Sequence, residues 1–195
     1  MIKYETVQFE TSFGRPEQLT PSDMPEIAFA GKSNVGKSSL LNKVLNRKSI
    51  ARVSSMPGKT VTINFFKLNC CRFVDLPGYG YAKVSRDEKL RWAELMESYF
   101  KSGRNIKLVV QLFDMRHMPT KDDLDMLEFL VATGQKFLVV LTKSDKLNKS
   151  QRADMMMKIC SQIAKYGEVG VIAFSALNGE GTNEIRAQIE KALEG

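Results

Sequence analysis

Residues 31–38 read GKSNVGKS, and this stretch decides the fold of the 195-residue chain. It follows the apolar run IAFA at residues 27–30 and precedes SLLNKVL at residues 39–45, so it predicts a strand that turns through glycines into a helix. The first N–H groups of such a helix lack partners within the helix, and the backbone dipoles there favour negative charge. We therefore expect the phosphates of a nucleotide at this turn, with Lys37 reaching the β- and γ-phosphates and the Ser38 hydroxyl binding Mg²⁺.

Three shorter segments follow, each at the end of an apolar run. DLPG at residues 75–78 can hold Mg²⁺ through a water bound to Asp75 and can sense the γ-phosphate through the Gly78 N–H. TKSD at residues 142–145 ends in Asp145, whose carboxylate can accept from guanine N1–H and the 2-amino group, which adenine cannot offer. SAL at residues 175–177 places the Ala176 N–H where guanine O6 could meet it. Together the four segments predict a guanine-nucleotide switch.

In this order the segments resemble those of the translation-factor-like class of P-loop GTPases, and within it the small bacterial EngB family, also called YihA or YsxC. The resemblance covers nearly the whole chain. Its particular marks are SMPGKT at residues 55–60, DLPGYGY at 75–81 and DMRH at 114–117. Membership would imply a GTPase that acts in assembly of the large ribosomal subunit and is needed for normal cell division and septation.

The resemblance also implies which residues form the site. Mg²⁺ would be held by Ser38, Thr60 and Asp75, and catalysis would involve Lys37, Thr60 and Asn34. The residues expected to bind GTP are Gly31, Lys32, Ser33, Asn34, Val35, Gly36, Lys37, Ser38, Gly58, Lys59, Thr60, Asp75, Leu76, Pro77, Gly78, Thr142, Lys143, Ser144, Asp145, Ser175 and Ala176.

Apolar runs alternate with helical patterns along the chain. They predict an α/β fold, a single-domain Ras-like P-loop GTPase with a mostly parallel six-stranded sheet, one antiparallel edge strand and helices on both faces. The antiparallel strand is expected because LNC at residues 68–70 leaves room only for a hairpin. Residues 1–24, which lack a clear period, are expected as an extension that leads into a GTPase domain of residues 25–195. Strands are expected near residues 26–30, 62–68, 71–75, 106–113, 136–141 and 169–175, and helices near 38–46, 87–102, 121–132, 149–165 and 181–193.

Several classes of protein do not fit the composition. The chain has no run of eighteen apolar residues and no charged-then-apolar leader, so we expect no membrane span and a cytoplasmic location. Three cysteines, two of them adjacent, give neither a disulfide framework nor a metal-ligand spacing. A monomer is expected.

Basic residues cluster in the first half of the chain. The net charge is +7, and from Gly31 to Val74 there are nine basic residues and no Asp or Glu. An acid-free basic face attracts a polyanion, so the large ribosomal subunit or its RNA is the expected macromolecular partner beside GTP and GDP. For any single side chain an ordinary solvated face remains the alternative. The members with no expected role at the nucleotide are Lys43, Arg47, Lys48, Arg52, Lys59, Lys67 and Arg72.

Catalysis needs a group that positions the attacking water. Some GTPases use a glutamine directly after the glycine of the second motif, but this chain has Tyr79, whose ring cannot do that work. Asn34 is a candidate for binding K⁺, which would supply positive charge beside the phosphates. The alternative is that Asn34 only tolerates an unusual backbone conformation.

Three further residues lie in or near the predicted loops. Thr142 stands where asparagine is commoner, and its hydroxyl can still tie the guanine motif to the phosphate loop. His117, the only histidine, is expected to be a hydrogen-bonding loop residue rather than an acid or base. Arg116 is expected either to pair with Asp114 or to face a partner.

Two functional hypotheses remain. In the first, the protein is a GTP-hydrolysing switch, slow alone, whose basic face docks on ribosomal RNA. In the second, it is a nucleotide-dependent module that binds a protein partner in cell division, with incidental hydrolysis. An ATPase is disfavoured because Lys143 and Asp145 would have no purpose with adenine.

Overall fold

Seven strands form one sheet in the order β1-β3-β4-β2-β5-β6-β7 in the computed structural model, which describes residues 1–50, 61–80 and 85–195. Strands β2 and β4, β2 and β5, β5 and β6, and β6 and β7 pair in parallel, whereas β3 is antiparallel to both β1 and β4. The strands are β1 (Gln8–Phe13), β2 (Glu26–Gly31), β3 (Ile63–Lys67), β4 (Arg72–Asp75), β5 (Ile106–Asp114), β6 (Phe137–Thr142) and β7 (Gly170–Ala173). The helices are α1 (Lys37–Val44), α2 (Arg86–Lys101), α3 (Lys121–Ala132), α4 (Lys149–Ile163) and α5 (Thr182–Glu194).

Helices cover both faces of the sheet because the central strands are apolar on both sides. In β2, Ile27 and Phe29 face a core that also contains apolar residues of α1 and α5. Ala28 and Ala30 alternate with them and face a second core with α2, α3 and α4. The predicted α/β architecture is therefore confirmed, and the twelve expected and observed ends of the six predicted strands differ by at most two residues.

Local signals fix where the helices begin. Ser85 caps α2, since its Oγ accepts from the Glu88 N–H at 3.2 Å while Glu88 accepts from the Ser85 N–H at 2.9 Å. Asn148 and Gln151 form the same reciprocal cap at the start of α4, with both distances 3.0 Å. These caps hold the helices that follow two of the predicted site segments.

The expected six-stranded sheet with an antiparallel edge strand needs correction. The antiparallel strand β3 lies inside the sheet, and β1, within residues 1–24, is a seventh strand at the edge. The register shifts between Phe9 and Thr11, so Glu10 interrupts the alternation by which a strand is recognised. Most of β1 is also exposed, as is usual for an edge strand, and its sequence therefore shows no apolar period.

The segment before β1 also contributes to the core. Ile2 and Val7 are buried, and the Tyr4 ring packs edge-on against Phe73 of β4. Residues 1–24, expected as an extension, thus pack against the sheet that they complete. Among residues 1–50, 61–80 and 85–195, no helix has the length and apolar character to cross a membrane.

Candidate functional site

The phosphate loop joins β2 to α1 through a tight turn. Its Val35 N–H donates to the Lys32 carbonyl at 3.1 Å, and Asn34 and Gly36 have φ values of 63° and 110°. At Gly31 an added Cβ would lie 2.9 Å from Val35 Cγ1, so the end of β2 has no room for a side chain. The helix begins at Lys37, which leaves its first N–H groups at the carboxyl end of the parallel strands.

Lys37 and Asp75 form an ion pair beside this loop. The parallel register of β2 and β4 sets Asp75 opposite Phe29. Lys37 Nζ contacts Asp75 Oδ1, and the two side chains are only 13% and 12% exposed. The residue after Lys37 is Ser38, so a hydroxyl and a carboxylate are available from neighbouring elements. Such oxygen ligands suit Mg²⁺, and the donor set therefore fits this ion.

The DLPG segment at residues 75–78 and the Tyr79 that follows it directly contact the phosphate loop. Ser33 donates to the Tyr79 carbonyl from its N–H at 2.9 Å and from its hydroxyl at 3.2 Å. A Cβ at Gly78 would lie 2.9 Å from Ser33 Oγ and 3.3 Å from Ser33 Cα. The tight approach to the Ser33 main chain favours glycine, and the Gly78 main chain lies next to the loop expected to bind phosphate.

The Tyr79 side chain points into the core. Its hydroxyl donates to Asp123 Oδ1 at 2.8 Å and accepts from Gln111 Nε2 at 2.7 Å, and its ring packs against Trp92. Burial and the nearby Asp123 carboxylate raise the pKa of Tyr79 well above its usual value. Sequence reasoning did not find Gln111 and Asp123; the available signal was a single amide within the apolar strand β5.

The guanine motif is tied to the phosphate loop at two points. Thr142 Oγ1 donates to the Val35 carbonyl at 2.6 Å, which is the link expected from a hydroxyl at this position. Lys143, with φ of 61°, donates from Nζ to the Asn34 carbonyl at 2.9 Å. The carboxyl ends of β2 and β6 are thus joined by side chains of one motif.

Asp145 is tied to the loop after β7. Ser175 Oγ donates to Asp145 Oδ1 at 2.7 Å, and Lys146 Nζ lies 3.5 Å from Asp145 Oδ2. The hydrogen bond from Ser175 is the main cause that lowers the pKa of Asp145 below its usual value. The carboxylate is therefore charged at neutral pH, as recognition of guanine N1–H and its 2-amino group requires.

Arg116 pairs with Asp114 rather than standing apart from it. Its Nε and Nη2 donate to the two carboxylate oxygens at 2.9 and 2.7 Å, and Lys143 Nζ adds a third contact at 2.8 Å. Burial opposes ionisation, but the hydrogen bonds from Arg116 and Lys143 outweigh it and hold the pKa of Asp114 well below its usual value. His117 is exposed and its N–H donates to the Asp114 carbonyl at 3.1 Å.

The basic residues between Gly31 and Val74 differ in exposure and in their partners. Arg72 is engaged by two carboxylates, since its Nε and Nη2 donate to Glu10 at 2.6 and 2.8 Å and its Nη1 contacts Asp23. Lys43 and Lys48 are exposed. The proposed RNA contacts therefore no longer include Arg72. The predictions made for Arg52, Gly58, Lys59 and Thr60 lie outside the described residues.

The fold and the joined loops after β2, β4, β6 and β7 are those of a P-loop GTPase, and comparisons with known proteins agree. A family model described as "50S ribosome-binding GTPase" matches residues 26–143. Curated relatives named "Probable GTP-binding protein EngB" include one from Lachnoclostridium phytofermentans, 46% identical over 189 residues that cover 96% of this chain and 94% of the relative. Another, from Petrotoga mobilis, is 50% identical over 178 residues, or 91% of this chain and 90% of the relative. The chain belongs to the EngB family of GTP-binding proteins and is a GTPase.

Solved structures support the fold assignment. A crystal structure of a probable GTP-binding protein EngB matches with a TM-score of 0.68 at 21% identity and covers 87% of this chain and 98% of the other. Era in complex with MgGDPNP and a segment of 16S ribosomal RNA matches with a TM-score of 0.62 at 23% identity, over 88% of this chain and 57% of the other. At these identities the likeness speaks for the fold alone.

Proposed function

We propose that GTP and Mg²⁺ bind where the loops after β2, β4, β6 and β7 meet. The observation that carries this proposal is the hydrogen bond from Thr142 to the Val35 carbonyl, because it joins the expected base-binding motif to the expected phosphate loop. In this arrangement the ammonium of Lys37 exchanges Asp75 for the β- and γ-phosphates. Ser38, Asp75 and, from its sequence motif, Thr60 hold Mg²⁺, which neutralises phosphate charge when bound.

Hydrolysis by the chain alone is proposed to be slow. The hydroxyl of Tyr79 is committed to Asp123 and Gln111, so this side chain is directed away from an attacking water. Asn34 has a left-handed backbone and an exposed side chain, which suits either a loop-forming role or a ligand of K⁺. Comparison of GTP hydrolysis in K⁺ and Na⁺ at equal ionic strength separates the two.

The proposed partner is RNA of the large ribosomal subunit, in the cytoplasm, with the protein acting as a monomeric switch in subunit assembly and supporting normal septation. Lys43 and Lys48 lie on and just beyond the carboxyl-terminal half of α1 and are exposed. The helix of eight residues spans about 12 Å, so Lys43, in its last turn, is separated from the phosphate loop at its first. Their charges can meet a polyanion without touching the nucleotide. The description of the matching family model, a 50S ribosome-binding GTPase, agrees with this partner.

Charge reversal tests the RNA proposal. The double variant Lys43→Glu/Lys48→Glu should bind large-subunit particles more weakly and flatten the log–log salt slope by about 1.4 to 1.8, from 0.7–0.9 per phosphate contact. GTP affinity should stay within about twofold. The matched control, Lys136→Glu/Lys165→Glu, changes the net charge equally at two other exposed lysines, one before β6 and one after α4.

The competing proposal, a protein partner in cell division, predicts a different result. Binding to ribosomal particles would then be indifferent to salt, and both double variants would bind the particles as the wild type does. Equal loss in both double variants would point to general charge attraction and would remove the specific basic face from the proposal. Arg47 is left unchanged because its guanidinium donates to the Glu5 carbonyl at 2.5 Å and so holds the amino-terminal segment.

A further inference from the structure

Glu180 contacts both loops that are expected to recognise guanine. Its Oε2 accepts a hydrogen bond from Ser144 Oγ at 2.9 Å, and its main-chain carbonyl accepts from the Ser175 N–H at 3.2 Å. Its other carboxylate oxygen pairs with Arg152 of α4. A single residue thereby joins the motif after β6, the loop after β7 and the helix between them.

The contacts cross between the two loops in both directions. Ser144 of the first loop donates to Glu180 of the second, while Ser175 of the second donates to Asp145 of the first. Ser144 is fully buried, and its hydroxyl is satisfied by the Glu180 carboxylate. The Ser144 N–H also donates to the Phe174 carbonyl at 3.2 Å, and together these bonds fix both the distance between the two loops and their relative orientation.

The position of Glu180 is set by the residue that follows it. Gly181 has φ of 79°, and a Cβ there would lie 2.1 Å from the Ala173 carbonyl oxygen of β7. The chain can make this close approach only with glycine. The contact between Gly181 and β7 therefore fixes the main chain of Glu180 relative to the end of the sheet, within reach of Ser144.

We propose that Glu180 is a positioning residue for guanine recognition, which sets the distance between the Asp145 carboxylate and the loop that carries Ala176. This inference rests on the proposed nucleotide site. Glu180 acts through Ser144 and Arg152 and does not itself contact the base. Its loss leaves the two loops joined by the Ser175–Asp145 bond and by main-chain bonds, so the orientation of the Asp145 carboxylate toward N1–H and the 2-amino group is less well fixed.

The test compares Glu180→Ala and Glu180→Gln in the full-length chain. Glu180→Ala should weaken GDP binding about 10-fold, equivalent to about 1.4 kcal/mol, and raise KM for GTP similarly with kcat within about twofold. IDP lacks the 2-amino group and should lose about threefold, so the preference for GDP over IDP falls. Glu180→Gln keeps an acceptor for Ser144 but places an amide NH2 where the carboxylate oxygen pairs with Arg152, so its affinity should lie between those of the wild type and Glu180→Ala. Glu184→Ala, which removes an exposed carboxylate in the first turn of α5, is the matched control and should match the wild type.

The outcomes separate the role of Glu180 from the nucleotide site itself. GDP affinity in Glu180→Ala equal to that of the wild type overturns the positioning role. So does an equal loss for GDP and IDP together with a fall in kcat, because that pattern marks general damage to the fold. If the wild type binds GDP no more tightly than ADP, the proposed guanine site fails and the role of Glu180 fails with it.

Discussion

Replacing Thr142 by valine should weaken the link between the guanine motif and the phosphate loop. Thr142 is 1% exposed, and its Oγ1 donates to the Val35 carbonyl at 2.6 Å. Valine keeps the volume of the side chain but cannot donate, so the carbonyl of Val35 loses its partner in a buried place. Such an unsatisfied group costs about 1–3 kcal/mol.

The cost should appear in two measurements. Unfolding by urea without nucleotide should show a fall of about 1–3 kcal/mol in the free energy of unfolding, with an unchanged m-value. Titration calorimetry should show weaker GDP binding. Without the bond from Thr142 the phosphate loop adopts its binding conformation only part of the time, and the apparent affinity falls in proportion to that fraction. The affinities for GDP and GTP should both fall, because the bond between Thr142 and Val35 does not depend on the γ-phosphate.

Thr142→Ser is the control for this prediction. Serine keeps the hydroxyl and should retain most of the stability and affinity, at the lesser cost of one buried methyl group. If Thr142→Val matches the wild type in both unfolding and GDP binding, the hydroxyl link does not hold the phosphate loop and the reasoning is refuted.

Three other perturbations test the structure. Arg104→Ala should lower the free energy of unfolding by about 3–5 kcal/mol in urea titrations, because it removes the ion-pair partner of the buried Glu26 carboxylate. Lys101→Ala, which breaks an exposed pair, should cost under about 1 kcal/mol, and equal costs would refute the argument. GTP hydrolysis should be faster in K⁺ than in Na⁺, and Asn34→Ala should abolish the difference; equal wild-type rates would leave Asn34 as a loop former. Folding lowers the pKa of Asp114. Its ion pairs therefore stabilise the protein fully above the pKa of the unfolded chain, about 3.9, and progressively less as the pH falls below that value. The stability difference between wild type and Asp114→Asn should therefore shrink as pH falls from 6 to 3, and a constant difference would contradict this assignment.

The sequence predicted those parts of the molecule that depend on local pattern. The strand, glycine turn and helix around Gly31 to Ser38 follow from neighbouring residues, and the hairpin between β3 and β4 follows from its short connection. Thr142 could be linked to the phosphate loop in advance because parallel strands bring their carboxyl ends to one edge. The local sequence pattern and the order of the elements along the chain were sufficient for these predictions.

Other parts depend on contacts between distant residues. Strand β1 carries no apolar period of its own and is recognisable only through its pairing with β3. Tyr79 meets Gln111 and Asp123, which lie 32 and 44 residues further along the chain. Glu180 meets Ser144 across 36 residues. A side chain that acts through such a contact leaves no local pattern, so these residues emerge only once the fold is known.

The pairing of β1 with β3 also sets an order of events during synthesis. Gln8 lies opposite Lys67, so the first residue of β1 has no partner on β3 until 59 further residues have been made. At roughly 5–20 residues per second this takes about 3 to 12 s. During that interval the Phe9 side chain and the unpaired backbone of β1 are open to other chains. When β3 pairs with β1, the chain between the two strands, which contains the phosphate loop, becomes a closed loop.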